Sequence, residues 1–253
     1  MKVISIINLK GGVAKTISTA NIGYILAAIY NYRVLLIDND KQGNLSKLFD
    51  RHSYNHKGIE EIMTMRKVNL DKIIQKTNYS NLDIITANMN LLNANLRVLM
   101  DQARPQQTRL EIALEQVNHK YDFCIIDNAP DINISTINAL VASHDVLIPL
   151  KIDDFAFDGL EELKEQIENT KEDLNSKLNF KGCFVTQYAR NEVNKQGEEW
   201  LKAQKEYPIF TTHIRRTEKV DESTFAKMPI ILYSRRCGAA RDYLKLVEEY
   251  LES

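Results

Sequence analysis

Val3-Ile-Ser-Ile-Ile-Asn-Leu-Lys-Gly-Gly-Val-Ala-Lys-Thr16 is the stretch that decides the fold. Its apolar, largely β-branched opening predicts a buried strand. Two glycines follow, and from Thr16 to Ala28 the apolar residues recur with helical period. A strand that turns through glycine straight into a helix directs backbone N–H groups around an anion, and the helix dipole adds to their partial positive charge. In that frame Lys15 places a cation on the β- and γ-phosphates of a nucleoside triphosphate, and the Thr16 hydroxyl is a ligand for Mg²⁺. The general pattern G-x-x-x-x-G-K-S/T is missed at two places, because Leu9 and Ala14 hold the glycine positions.

Outward from this loop, short β-branched runs alternate with longer stretches of helical period, the pattern of βαβ units. The expected strands are Val3 to Ile7, Val34 to Ile37, Leu82 to Thr86, Phe123 to Ile126, Val146 to Leu150, Gly182 to Thr186 and Ile209 to Ile214. This predicts an α/β fold, a doubly wound and mostly parallel central sheet of about seven strands with helices on both faces. No repeat, low-complexity tract or Pro/Gly-rich linker interrupts it, so residues 1–253 are expected to form a single domain. The polar stretch Arg51 to Ser80 is expected to carry short surface helices.

Composition narrows the function classes. At 44% hydrophobic and 26% charged the 253 residues suit a globular chain and exclude disorder, coiled coil and collagen. A formal net charge of −1 gives no global attraction to nucleic acid or membrane, so any such partner must meet a local patch. Apolar runs such as Val146 to Leu150 fall far short of the roughly 20 residues of a bilayer span, and no membrane partner is expected. Met1 leads directly into the first strand without the zones of a secretory signal, which points to the cytoplasm. Cys124, Cys183 and Cys237 have no C-x-x-C spacing and are expected to be reduced packing residues. His52 and His56, four apart but without a third ligand, are expected to be solvated.

The variant K-G-G-x-x-K-T/S, with a second lysine five residues before the phosphate lysine, is the deviant Walker A pattern. Through it the chain resembles the ParA/MinD family of ATPases. Leu35-Leu-Ile-Asp38-Asn-Asp40-Lys-Gln-Gly-Asn44 is similar to the family's switch I segment L-x-D-x-D-P-Q-G-N, with Lys41 in place of the proline, a swap expected to loosen the turn. Tyr121-Asp-Phe-Cys-Ile-Ile-Asp127, followed by Asn128-Ala-Pro130, looks like a Walker B strand with the family tail, and Asn128 to Ser135 like a second switch. Asp122 at the far end of that strand is expected to be structural. The segments Thr136-Ile-Asn-Ala-Leu140, Phe155-Ala-Phe-Asp-Gly-Leu160 and Pro229-Ile-Ile-Leu-Tyr233 extend the likeness, closest to the short, Soj-like ParA proteins.

The resemblance implies a P-loop NTPase that binds ATP and Mg²⁺. It implies a nucleotide cradle from Lys10, Gly11, Gly12, Val13, Ala14, Lys15 and Thr16 with Gln187, and Mg²⁺ ligation by Thr16, Asp38 and Asp127. Catalysis would fall to Lys10, Lys15 and Asp40, with Asp40 orienting the attacking water and Lys10 reaching across an ATP-dependent homodimer. From Ile209 to Arg241 seven basic residues face three acidic ones, a local excess suited to a phosphate backbone. The implied contacts to nonspecific DNA are Arg190, Arg215, Arg216, Lys219, Arg235 and Arg236, with Arg215 standing where relatives have proline. The expected function is plasmid or chromosome partitioning with a ParB-like adaptor, in the cytoplasm and associated with the nucleoid. The alternative is a related ATPase that positions a protein cargo, such as conjugation machinery. No helix-turn-helix segment precedes the first strand, so operator binding is not expected. The acidic end Val247-Glu-Glu-Tyr-Leu-Glu-Ser253 differs from MinD's basic amphipathic membrane helix.

Overall fold

The structure is a computed structural model that describes residues 1–153 and 158–253; the Phe155-Ala-Phe157 part of the family-like segment lies outside them. Its strands are β1 (Lys2–Ile6), β2 (Val34–Asn39), β3 (Ile74–Lys76), β4 (Leu82–Ile85), β5 (Phe123–Asn128), β6 (Asp145–Lys151) and β7 (Asn179–Thr186). Its helices are α1 (Lys15–Ala28), α2 (Asn44–Leu48), α3 (Ile59–Thr64), α4 (Asn90–Met100), α5 (Arg109–Glu115), α6 (Ile134–Ala142), α7 (Asp158–Asp173), α8 (Glu192–Ala203), α9 (Glu218–Phe225), α10 (Ile230–Tyr233) and α11 (Gly238–Glu252). The strands form one sheet in the order β3-β4-β2-β5-β1-β6-β7, all parallel except β3 at the edge.

Strands buried on both faces explain the unbroken apolar runs. Every residue of β2 is buried, with Val34 and Leu36 facing one core and Leu35 and Ile37 the other. The first core joins α1 and α11 to the sheet through Ile25, Tyr243 and Val247, and the second joins α4 and α5 through Leu91, Val98 and Leu110. A third cluster packs α7 and α8 against β6 and β7 through Leu163, Ile167 and Leu201. Tyr243 and Tyr250 are buried helix residues, the Tyr250 hydroxyl donating to Asp145 at 2.7 Å. Cys124 and Cys183 are buried and free, and Cys237 is half-buried. Asp122 holds Arg33 through two side-chain bonds of 3.1 and 2.7 Å. No helix among the described residues is long and apolar enough to cross a membrane.

Two elements correct the expected list. Ile209 to Ile214 is not a strand, although it touches β7 at both ends, where the Phe210 N–H donates to Cys183 at 2.8 Å and that of Ile214 to Val185 at 2.8 Å. Between these points the Glu249 carboxylate of α11 takes the Thr211 and Thr212 N–H groups at 2.6 and 2.9 Å, so those donors are lost to a ladder. The seventh strand is β3, inside the polar stretch expected to be helical only, where α3 is indeed a short helix. β3 is short and ends on Lys76, which pairs across to Asp83 at 2.8 Å, a charged residue of the kind that blunts a sheet edge.

Candidate functional site: a phosphate loop facing an unpaired carboxylate

The site lies where chain order reverses in the sheet. β1 has β5 on one side and β6 on the other, so the loop after β1 opens into the crevice at the carboxyl ends of the strands. Asn8 shapes the loop by donating to the Pro149 carbonyl at 2.8 Å while accepting the Lys10 N–H at 2.8 Å. Gly12 and Ala14 both take left-handed backbone, φ 73° and 66°, and Ala14 is the N-cap of α1. A left-handed conformation that glycine adopts without strain is thus taken here by an alanine, at a cost of roughly 1–2 kcal/mol. Val13 is buried, and its carbonyl accepts the Thr186 hydroxyl at 3.1 Å. Gly11 is exposed, with open space where a Cβ would stand.

Lys15 is buried and donates to the carbonyls of Asn8 and Lys10, both at 2.9 Å. Burial lowers its pKa, opposed by the charges of Asp127, Asp40 and Asp131. The Lys10 ammonium pairs with Asp153 of its own chain, and Lys151 approaches the same carboxylate at 3.9 Å. Gln187, itself at φ 52°, donates to the Gly12 carbonyl at 2.6 Å.

Register sets the acidic side. Asp38 and Asp127 are direct partners on β2 and β5, and Asp127 is in turn the partner of Ile6 on β1. Asp38 is fully buried and accepts the Ser46 hydroxyl at 2.6 Å and the Ser46 N–H at 2.8 Å. Burial pushes its pKa up to about 7 in spite of the Ser46 bonds. Asp127 is 1% exposed, and neither of its oxygens has a hydrogen-bond partner. Burial raises its pKa well above the carboxylate range, Asp38 adds to the rise, and the Thr16 hydroxyl and the Lys15 charge oppose it.

Asp40 accepts the Gln42 N–H on one oxygen at 2.9 Å, and its carbonyl takes the Gly43 N–H at 2.8 Å, so the turn stays closed without the proline. Lys41 does more than replace that proline, since it approaches Asp131 at 3.8 Å and links the segment after β2 to that after β5. Asn39 joins the same two strands, donating to the Asn128 side chain at 2.8 Å and the Ser135 carbonyl at 3.0 Å. Sequence reasoning passed over Ser46, Asn8, Asp131 and Asp153, which lie outside the pattern positions and are recruited by the fold.

Of the basic residues, Arg190, Arg216, Arg235 and Arg236 are exposed. Lys219 is exposed and paired with Glu222 at 2.7 Å. Arg215 differs: its guanidinium donates to both oxygens of Asp242 at 2.8 and 2.7 Å and to the Gly238 carbonyl at 3.2 Å. The Arg216 N–H bonds the Tyr188 carbonyl at 2.9 Å, which sets Arg216 beside the segment carrying Arg190.

A parallel sheet with a left-handed phosphate loop, a buried lysine and an unpaired acid on the adjacent strand defines a P-loop nucleotide-binding protein. The AAA domain family model matches residues 1–180. The sporulation initiation inhibitor protein Soj of Bacillus subtilis (strain 168) is 34% identical over 249 residues, covering 98% of this chain and 97% of that protein. The chromosome partitioning protein ParA of Caulobacter vibrioides (strain NA1000 / CB15N) is 32% identical over 264 residues, covering 99% and 94%. The solved structure of cobyrinic acid a,c-diamide synthase from Mycobacterium smegmatis with bound ATP analog and magnesium superposes with a TM-score of 0.87 at 26% identity, covering 100% of this chain and 94% of that one. The chain belongs to the ParA/MinD family of P-loop ATPases and is Soj- and ParA-like within it.

Proposed function

We propose that this protein is a partitioning ATPase that binds Mg²⁺ and ATP, dimerises on the nucleotide, holds DNA without sequence preference and releases it on hydrolysis. The observation that carries the nucleotide chemistry is Asp127, a buried carboxylate with no partner beside the Thr16 hydroxyl and the phosphate loop. An orphaned buried acid is costly, and it fits a place for a hard cation with oxygen ligands. Thr16 and Asp127 would hold the ion, with Asp38 behind them, fixed by Ser46. Mg²⁺ supplies charge neutralisation on the phosphate oxygens.

The residues of this chain do the rest. The loop amides from Gly11 to Thr16 receive the phosphates, and Lys15 exchanges its two carbonyl acceptors for them. Asp40 keeps one oxygen on the Gln42 N–H, which orients the other as acceptor for a water proton. Lys10 acts across the dimer on the partner's phosphates once it leaves Asp153.

DNA is met by Arg190, Arg216, Lys219, Arg235 and Arg236, all exposed. Such contacts carry no base code. The likeness to partitioning proteins supports this reading and suggests a ParB-like adaptor as partner. The test is titration of ATP-loaded protein onto two unrelated duplexes at several salt concentrations. Equal binding to both, with a steep salt slope that falls in an Arg216→Glu/Lys219→Glu double variant, is expected. Absence of salt-dependent binding overturns the DNA reading and favours positioning of a protein cargo.

A further inference from the structure

Arg215 is set apart from the other basic residues by what surrounds it. It lines a cavity of about 410 Å³ that opens at Gly12 and Ala14 of the phosphate loop and continues past Ile17, Gln187 and Tyr243. This size is within the range of small-molecule sites. One edge of the guanidinium is closed by the fork of Asp242, itself 7% exposed, whose Oδ2 also takes the Arg215 N–H at 3.0 Å. One face is covered by Gly238: a Cβ there would lie 2.9 Å from Arg215 Cζ, so only glycine lets the backbone approach this closely. The side chain is still 39% exposed. With one edge and one side so occupied, the exposed part of the side chain borders the cavity.

We infer that Arg215 is a nucleobase-stacking residue of this chain and is not a contact to DNA. The inference rests on the nucleotide reading above and goes beyond it. Phosphates held by the loop from Gly11 to Thr16 send the rest of the nucleotide out past Gly12 and Ala14, into the cavity that Arg215 walls. A planar guanidinium stacks on an aromatic ring, and one already fixed at its edge and on one face loses little freedom in doing so. Asp242 and Gly238 are the residues that hold the guanidinium in place.

The test compares ATP with inorganic tripolyphosphate, which has phosphates and no base, each titrated with Mg²⁺ by calorimetry. Arg215→Ala and Arg215→Lys should weaken ATP about tenfold and leave tripolyphosphate within about twofold, because lysine keeps the charge and loses the plane. Gly238→Ala, which retains Arg215 and displaces it, should show the same selective loss and serves if the Arg215 variants do not fold. Lys245→Ala, at an exposed residue of α11 outside the cavity lining, should leave both affinities unchanged. Equal loss of ATP and tripolyphosphate, or loss of neither, overturns the inference. Wild type that binds neither ligand overturns the nucleotide reading and this inference with it; wild type that binds both, with an ATP-to-tripolyphosphate ratio the variants do not move, overturns only the stacking role.

Discussion

Asp38 and Asp127 are register partners on adjacent parallel strands, both buried, yet Asp38 is bonded twice by Ser46 while neither oxygen of Asp127 accepts a hydrogen bond. Strands run about 4.8 Å apart, so two ionised carboxylates in this position repel strongly in a poorly solvated site. Ser46 occupies one of the two carboxylates and leaves the other bare.

Asp127→Asn should therefore make the nucleotide-free protein more stable, by about 1–3 kcal/mol, because an unpaired buried acid is replaced by a neutral group. The same variant should lose the Mg²⁺ dependence of nucleotide affinity. Thermal denaturation and titration with and without Mg²⁺ check the two halves, and a variant that is less stable but still Mg²⁺-dependent contradicts the assignment.

Binding should also release protons. Asp38 moves from 3.8 to about 7 and Asp127 is raised as well, both by burial, so around pH 6 the metal-free folded protein still holds protons on this pair. A bound cation favours the ionised forms, so affinity for Mg²⁺ with ADP should rise with pH through about 7. Calorimetry at pH 6 in two buffers of different ionisation enthalpy measures the release; identical heats would refute it.

Ala14→Gly should be mildly stabilising. The left-handed alanine at φ 66° costs roughly 1–2 kcal/mol, and the extra freedom of unfolded glycine returns about half of that, leaving about 0.5–1 kcal/mol in favour of glycine. The midpoint of chemical denaturation reports it. An unchanged or lowered midpoint would mean that the loop relaxes around Ala14.

Hydrolysis should separate from binding at Asp40 and Lys10. Asp40→Ala should bind ATP normally and turn over at least about 100-fold more slowly, since a positioned acid–base group contributes on that scale. Lys10→Ala should bind ATP as a monomer. Light scattering with ATP and a phosphate-release assay distinguish them, and normal turnover by the Asp40 variant would remove its catalytic role.

The parallel sheet and the phosphate loop were legible from one residue outward, because buried strands write themselves as apolar runs and the loop needs small residues, a lysine and a hydroxyl at fixed spacing. Ile209 to Ile214 misled because a β-branched run says nothing about who takes its N–H groups. That answer lay in Glu249, far along the chain. β3 was missed for the opposite reason, since an exposed edge of three residues has no apolar signature to read.

By itself the sequence determined six of the seven strands in order, the glycine loop after β1 and the three acids at the ends of β2 and β5, since each depends on local chemistry at short spacing. Tertiary structure alone decided what those groups can do. The register of β2 against β5 put Asp38 beside Asp127, Ser46 satisfied one and left the other, and Asp153 took hold of Lys10 from 143 residues away. Arg215, one of two adjacent arginines in sequence, was pinned to α11 by Asp242, 27 residues later. Charge and hydrogen-bond partners act through distance in space, and no spacing along the chain encodes them.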